Sequence, residues 1–182
     1  MKGRLFVFSG ASGVGKGTVL SQVMAARKDL KFSVSATTRP PRPNETNGVH
    51  YFFVTEEAFR AMIDQDRMLE YDYHNNTYYG TPRDQIGGDC HVILDIDVNG
   101  AFNVKKSCPE AVLIFIMPPS MEELERRLRG RGDTPEEQIL MRLERAKWEM
   151  EQRHKYDYVV VNDTVERCAG EILDIIAANE NK

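Results

Sequence analysis

Four short apolar runs divide the chain, and none of them alternates with polar residues. An unbroken apolar run is typical of a strand that is covered on both faces, as the strands of a parallel sheet are. Segments with helical spacing lie between the runs, and this alternation predicts an α/β fold. The runs are Leu5–Phe8, Val92–Ile96, Val112–Met117 and Tyr158–Val161.

Several helix starts are marked by a hydroxyl residue followed by glutamates. The hydroxyl caps free N–H groups, and the acids favour the positive end of the helix. This pattern occurs at Thr55, Ser120 and Thr134, and Pro135 stands at the first helical position predicted for the last of these. A final helix is predicted over about residues 164–178, where apolar residues recur at helical spacing.

Two stretches interrupt the alternation of strands and helices. Residues 34–81 are rich in Tyr, Thr, Asn and Pro, which predicts an inserted small β-rich lobe. Residues 126–151 carry nearly equal numbers of acids and bases, a pattern typical of a solvated helical pair with i,i+4 ion pairs. The remainder is predicted to form one core, from residues 1–33, 82–125 and 152–182.

A glycine-rich loop follows the first apolar run and precedes a helical pattern. It consists of Gly10, Ala11, Ser12, Gly13, Val14, Gly15, Lys16, Gly17 and Thr18. The glycines let successive backbone N–H groups point at anionic oxygens, and the helix adds its positive end. Lys16 is placed to reach the β and γ phosphates. The loop therefore predicts binding of a nucleoside triphosphate.

The residue after Lys16 departs from the usual pattern. A Ser or Thr normally stands there, and its hydroxyl helps to hold Mg²⁺. Here the position is Gly17, with Thr18 one step later. Binding of Mg²⁺ through water and a direct role for Thr18 are both open on this sequence.

Composition narrows the class of protein. The chain has 182 residues and a net charge of −4, without the basic excess of a nucleic-acid binder. The longest apolar run, residues 111–117, is far shorter than the ~20 residues that span a bilayer. Three scattered cysteines without a CxxC indicate neither a zinc site nor a disulfide framework. We expect a cytoplasmic protein without nucleic-acid, membrane or obligatory protein partners.

Arg39 and Arg42 lie three residues apart among three prolines. Two guanidinium groups on a stiff segment suit bidentate capture of a phosphate group. A proline-rich linker, or a polyproline ligand, is the alternative interpretation of this segment taken alone.

Further motifs occur at Asn47–Tyr51, Leu69–Tyr71, Tyr78–Thr81 and Ile93–Asp97, with Gly100. Together with the glycine-rich loop and the two arginines, they resemble the guanylate kinases, which phosphorylate GMP with ATP. The resemblance covers nearly the whole chain, although the Gly-Lys-Gly-Thr ending of the loop is more like adenylate kinases. It implies a P-loop three-layer fold with a parallel central sheet, an inserted GMP-binding lobe (34–81) and a helical lid (126–151).

The resemblance also implies how GMP is held. Guanine presents two parallel donors, N1–H and the 2-amino group, and the Glu70 carboxylate would accept both. Adenine lacks this pair, so Glu70 would be left unpaired against it. Ser35 and Thr81 would add hydroxyl contacts to the base. The GMP phosphate would be held by Arg39, Arg42, Tyr51 and Tyr79, while Asp97 would orient Arg39 and approach the base.

On the ATP side, the resemblance implies that Asp95 serves Mg²⁺, directly or through water, and that Asn162 lies near adenine. The catalytic cations would be Lys16, Arg39 and the lid arginines Arg127, Arg131 and Arg142. Their neighbours Arg126, Arg129 and Arg145 are expected to be solvated. The cosubstrate is ATP with Mg²⁺, and dGMP is a further expected acceptor.

Three other functions fit parts of the sequence. A kinase for AMP or UMP is favoured by the Gly-Lys-Gly-Thr ending but opposed by Glu70 and the pair Arg39 and Arg42. A catalytically dead scaffold domain of the same fold would have lost features that are intact here, Lys16 and Asp95 among them. A nucleotide-hydrolysing switch would leave the lid arginines and the nucleoside lobe unexplained.

Overall fold

A five-stranded parallel sheet forms the centre of the protein in a computed structural model, which describes residues 3–74, 76–130 and 135–180. Its strands are β1 (Leu5–Gly10), β2 (Leu30–Phe32), β7 (His91–Asp95), β8 (Val112–Met117) and β9 (Tyr158–Val161). They lie in the order β2-β7-β1-β8-β9, and every pair is parallel.

The helices cover both faces of this sheet. They are α1 (Lys16–Ala26), α2 (Glu56–Asp64), α3 (Val98–Ser107), α4 (Met121–Arg129), α5 (Glu136–Glu151) and α6 (Val165–Asn179). Two single-turn 3-10 helices occupy Arg83–Gln85 and Gln152–Lys155. No helix within the described ranges is long and apolar enough to cross a membrane.

Alternate residues of the central strands enter two separate cores. Phe6 and Phe8 of β1 pack in a cluster with buried residues of α1, α4, α5 and α6. Leu5 and Val7 face the other way and join residues of α3. Because successive strand side chains point to opposite faces, one apolar run fills both cores. The predicted three-layer α/β fold with a parallel central sheet is confirmed.

A second sheet of four strands lies within the inserted region. It contains β3 (Ala36–Thr37), β4 (Phe52–Phe53), β5 (Met68–His74) and β6 (Thr77–Pro82) in the order β4-β3-β6-β5. Helix α2 covers it through buried Phe59, which stacks on Tyr78 with ring centroids 5.1 Å apart. Leu69 of β5 instead joins the core beside α3, which ties this sheet to the central one.

The predicted element boundaries agree closely with the structure. All four predicted strands are present, and the side chains of Thr55, Ser120 and Thr164 accept N–H groups at the starts of α2, α4 and α6. Pro135 was predicted to be the first helical residue, but it directly precedes α5, which begins at Glu136. Thr134 lies outside the described residues.

The sequence missed β2. This strand has only three residues, of which two are exposed. So short a segment gives no apolar run, and its place in the sheet comes from hydrogen bonds to β7.

The carboxyl ends of β1 and β7 set the position of the glycine-rich loop, Gly10 to Thr18, which we also call the phosphate loop. Phe8 of β1 pairs with Asp95 of β7, and Gly10 pairs with Ile116 of β8. Since parallel strands all end at one edge, the loop after β1 and the residues after β7 meet there. Ligands of open α/β sheets bind at this edge.

Candidate active site

A cavity of about 520 Å³ opens at this edge, between the phosphate loop and the second sheet. Cavities of roughly 300–1,000 Å³ are typical of small-molecule sites. The lining comprises Gly10 to Thr18 together with Ser35, Tyr51, Glu70, Asp72, Tyr79, Gly80, Asp95, Ile96, Asp97, Arg145 and Glu149. The fold thus brings the glycine-rich loop and most residues expected around the acceptor nucleotide to one space.

The backbone of the glycine-rich loop depends on two glycines. Gly13 and Gly15 have φ values of 90° and 91°, which only glycine adopts without strain. A Cβ atom on Gly13 would also lie 2.5 Å from Cδ2 of Leu128. At Gly17, by contrast, a Cβ atom would have nothing within 4 Å. The loop therefore requires glycine at the first two positions and has room for a side chain at the third.

Lys16 begins α1, and its ammonium group pairs with Oδ1 of Asp95 at the end of β7. The same group lies 3.4 Å from the carbonyl oxygen of Ile96. Both side chains remain partly exposed toward the cavity. Thr18, two residues further, is exposed and lines this cavity and a second one on the other side of the loop. The described residues hold no group of three or more His, Cys, Asp or Glu side chains fit to bind a metal.

Glu70 is a buried carboxylate on β5 that faces the cavity. It is 7% exposed, and its Oε1 accepts a hydrogen bond of 2.7 Å from the hydroxyl of Thr81. Burial raises the pKa of Glu70 to about 7, and the charge of Asp97 adds to the shift while the Thr81 hydroxyl opposes it. Thr81 itself does not line the cavity, because its side chain is wholly buried behind Glu70.

Glu70 and Asp97 meet at the start of α3. Asp97 caps this helix, with its Oδ1 accepting the N–H of Gly100 at 2.8 Å. A Cβ atom on Gly100 would lie 3.0 Å from Oε2 of Glu70 and 3.2 Å from Oδ1 of Asp97. A side chain at this position would require both carboxylates to shift by a few tenths of an ångström.

Arg39 lies beside the second sheet rather than in the cavity lining. Its Nη1 and Nη2 each donate to the Glu45 carboxylate at 2.6 Å, and its guanidinium lies 5.0 Å from the ring centre of Tyr51. The predicted pairing of Asp97 with Arg39 is therefore wrong. A turn in which Glu45 N–H donates to the Arg42 carbonyl brings the Glu45 carboxylate back to Arg39.

Of the other residues expected at the GMP phosphate, the two tyrosines line the cavity and Arg42 does not. Tyr51 and Tyr79 line the cavity with their ring centroids 6.1 Å apart. Burial raises the pKa of the Tyr51 hydroxyl, as does the charge of Asp95. Ser35 also lines the cavity, whereas Arg42 is exposed outside the lining and donates its backbone N–H to Glu45 at 2.8 Å.

A smaller cavity of about 260 Å³ lies behind the loop and is lined by Arg127 and Asn162 among others. Arg127 donates to the carbonyl oxygens of Val14 at 3.2 Å and Asn162 at 3.1 Å. The buried Asn162 amide also donates to Val14, at 2.8 Å. Both side chains therefore support the backbone of the glycine-rich loop.

Of the three arginines assigned to the predicted lid, Arg127 and Arg142 belong to the described residues, and neither lines the larger cavity. Arg142 is half-buried on α5 and does not line it, and Arg131 lies outside the described residues. Arg126 and Arg129 pair with nearby glutamates at the surface, as expected.

Arg145 is exposed, as expected, but the sequence did not predict that it also lines the cavity and pairs there with two acids. Its guanidinium lines the cavity, 2.9 Å from Glu149 and 3.2 Å from Asp97. The only signal in the sequence was the i,i+4 spacing of Arg145 and Glu149, which many solvated pairs share.

Comparison with known proteins identifies the family. A family model described as guanylate kinase matches residues 2–179. A guanylate kinase of Thermus thermophilus is 49% identical over 188 residues, covering 100% of this chain and 84% of that protein. The guanylate kinase of Neisseria gonorrhoeae is 47% identical over 181 residues, covering 97% of this chain and 88% of that protein.

Solved structures agree. The crystal structure of guanylate kinase from Anaplasma phagocytophilum matches with a TM-score of 0.80 and 34% identity, over 99% of this chain and 87% of that one. A gluconokinase from Sinorhizobium meliloti, at 14% identity and a TM-score of 0.52, shares the fold alone over 98% of this chain and 94% of its own. The match over nearly the whole length shows that this chain belongs to the guanylate kinase family.

Proposed function

We propose that this protein transfers the γ-phosphoryl group of ATP to GMP, giving ADP and GDP. Family membership supports this reaction. The observation that carries it is the buried Glu70 carboxylate, which faces the same cavity as the phosphate loop. A triphosphate on the loop and a guanine against Glu70 would share one cavity.

Guanine recognition follows from the chemistry of Glu70. The ionised carboxylate accepts the N1–H and the 2-amino group, while Thr81 fixes its orientation through Oε1. Adenine offers no matching pair of donors, so a buried Glu70 would remain unsatisfied against AMP. Ser35, on the cavity wall, adds a hydroxyl contact.

The acceptor phosphate is assigned to Arg39 and Arg42, with the hydroxyl groups of Tyr51 and Tyr79. The contact with Glu45 fixes the plane of the Arg39 guanidinium, so it is oriented before the phosphate binds. A phosphate with a second pKa of about 6 is largely a dianion at pH 7, so its oxygen needs no general base.

The donor phosphates are assigned to the backbone N–H groups of the loop and to Lys16. Asp95 and Thr18 offer the hard oxygen donors that Mg²⁺ prefers, and we assign them to its site, directly or through water. Mg²⁺ would neutralise charge between the β and γ phosphates. Arg127, Arg131 and Arg142 are assigned to the transferred group, and Asn162 to the adenine side. Arg131 and Arg142 reach that group through closure of the proposed lid, residues 126–151, over the core and the GMP lobe.

Catalysis then rests on position and charge. In-line attack requires the acceptor phosphate to lie against the γ-phosphoryl group, and the cations neutralise the charge spread over the transferred oxygens. Exclusion of water by closure of the lid prevents hydrolysis of ATP.

The test is a panel of acceptors. The protein is incubated with ATP and Mg²⁺, each of GMP, dGMP, AMP, UMP and CMP is offered separately, and ADP formation is followed. We expect turnover with GMP and dGMP alone. A preference for AMP or UMP would overturn the guanine assignment, and no turnover with phosphopeptide binding would favour a scaffold domain. A cytoplasmic location stays a prediction.

A further inference from the structure

A continuous set of polar contacts joins the phosphate loop to the wall of the acceptor-base site. The backbone N–H of Ser12 donates to Oε2 of Glu149 at 3.0 Å. The other oxygen, Oε1, accepts from Nε of Arg145 at 2.9 Å. Arg145 then donates from Nη2 to Oδ2 of Asp97 at 3.2 Å. Asp97 caps α3 beside Glu70, so the series spans the cavity.

Glu149 is the buried member of this set. The residue is 4% exposed, and its two oxygens are each used by a different part of the molecule. A buried carboxylate is costly unless it is paired and hydrogen-bonded. Its partners fix α5 at a set distance from the phosphate loop, since Ser12 contributes a backbone group that cannot rotate away.

Arg145 is the only side chain that links Glu149 to Asp97 among the described residues. The planar guanidinium donates in two fixed directions, which a lysine ammonium on a flexible stem does not reproduce. Burial opposes the charge of Arg145, but the Glu149 hydrogen bond and the charges of Glu149, Asp97 and Asp72 outweigh it, so the pKa of Arg145 is raised.

We propose that Arg145 is a positioning residue that couples the two nucleotide sites by holding Glu149 against the phosphate loop and Asp97 against the acceptor base. This inference rests on the proposed function. A nucleotide on the loop restrains Ser12 and Glu149. Through its contacts with Glu149 and Asp97, Arg145 then restrains Asp97 and the cavity wall that includes Glu70. The affinity for GMP therefore rises when the phosphate loop is filled, and linkage makes the effect reciprocal.

The experiment measures the affinity for GMP by calorimetry, with and without saturating ADP. ADP fills the phosphate loop but has no γ-phosphoryl group to transfer to GMP. The variant is Arg145→Gln, with Arg145→Lys as the conservative change. Lys147→Gln is the matched control, since Lys147 lies on the same helix, is exposed and pairs with Glu144.

In the wild type, we expect ADP to strengthen GMP binding by about 5-fold or more. In Arg145→Gln the ratio of the two affinities falls toward one, Arg145→Lys lies between, and Lys147→Gln matches the wild type. A wild-type ratio of one, or an unchanged ratio in Arg145→Gln, overturns the proposal. So does a loss of GMP affinity that is equal with and without ADP, since it reports a local effect on Asp97.

Two further measurements keep the outcomes separate. Thermal melting shows whether Arg145→Gln folds, and Arg145→Lys carries the test if it does not. Turnover of ATP with GMP by the same wild-type preparation tests the proposed function on its own. Turnover with an unaltered ratio in the variants would leave that function standing and remove the role of Arg145.

Discussion

The Thr81 hydroxyl donates to the Glu70 carboxylate at 2.7 Å, and both side chains are buried at the base of the cavity. Because Oε1 accepts from Thr81, Oε2 of Glu70 faces the start of α3 and the part of the cavity where the acceptor nucleotide would bind. A carboxylate held in this way is specific for a ligand with adjacent donors, but its own charge is disfavoured until such a ligand arrives.

The affinity for GMP should therefore depend on pH. The pKa of Glu70 is raised to about 7, so below pH 7 the free protein carries a proton that guanine binding must expel. We expect protonation of Glu70 alone to lower the affinity for GMP about tenfold from pH 8 to pH 6. Calorimetry in two buffers of different ionisation enthalpy would show the release of nearly one proton from Glu70 at pH 6, in addition to the partial release from the GMP phosphate. In Glu70→Gln, the only pH dependence of GMP affinity that should remain is the one due to titration of the GMP phosphate near pH 6.

Glu70→Gln should also stabilise the free protein above pH 7. A raised pKa means that the folded state binds the Glu70 proton more tightly than the unfolded state does. Stability from this group is therefore full below about pH 4.5 and is lost as the pH rises to about 7. Removal of the charge should gain about 1–3 kcal/mol at pH 8 and little at pH 4.5, as measured by urea unfolding.

The control for that measurement is Glu144→Gln. Glu144 is exposed on α5 and pairs with Lys147 at the surface. Its replacement should change the free energy of unfolding by less than about 0.5 kcal/mol at either pH. An equal gain in both variants at pH 8 would show that burial of Glu70 is not the cause.

Lys16→Ala should abolish nearly all phosphoryl transfer. Removal of one group that stabilises transition-state charge costs about 100-fold or more in kcat. The partly exposed pair of Lys16 with Asp95 contributes little to folding, so the melting temperature should stay close to that of the wild type. Lys31→Ala, at an exposed position of β2, should retain full activity. Turnover by Lys16→Ala would remove this assignment.

Glu45→Gln should weaken GMP without changing ATP use. The change breaks the bidentate contact that orients Arg39 beside Tyr51. Loss of a charge-assisted contact is worth roughly 1.5 kcal/mol, which corresponds to a rise of about tenfold in the KM for GMP. Glu56→Gln, which breaks the exposed pair with Arg60 in the same lobe, should leave both KM values unaltered.

Gly17→Ser should be tolerated, whereas Gly13→Ala should not. The first change enters a helix at a place with no neighbour within 4 Å and should gain about 0.5 kcal/mol from helix propensity. The second meets Leu128 at a φ of 90° and should cost about 1–3 kcal/mol. Titration of activity with Mg²⁺ in Gly17→Ser would show whether a hydroxyl after Lys16 lowers the concentration required.

Local patterns made most of the fold predictable. All four apolar runs form strands of the central sheet, and β1, β7 and β8 place residues in both cores, as expected for an unbroken run. The edge strand β9 is covered on one face only, and Val159 and Val161 are exposed. The hydroxyl residues at the starts of α2, α4 and α6 act on N–H groups three residues away, so the cap and its target lie in one short segment. The boundaries of the lobe and the lid, and the roles of the individual site residues, stay predictions.

The sequence by itself determined the alternating fold, the phosphate loop and the family, because each is encoded in contiguous residues or in the order of motifs. Only the tertiary structure decided that Arg39 pairs with Glu45, that Asp97 pairs with Arg145, and that Glu149 reaches the loop. The choice among several acids for one arginine depends on where the helices and turns lie in space. Charged residues have no period that marks the chosen partner, so the pairs emerge only when the chain is folded.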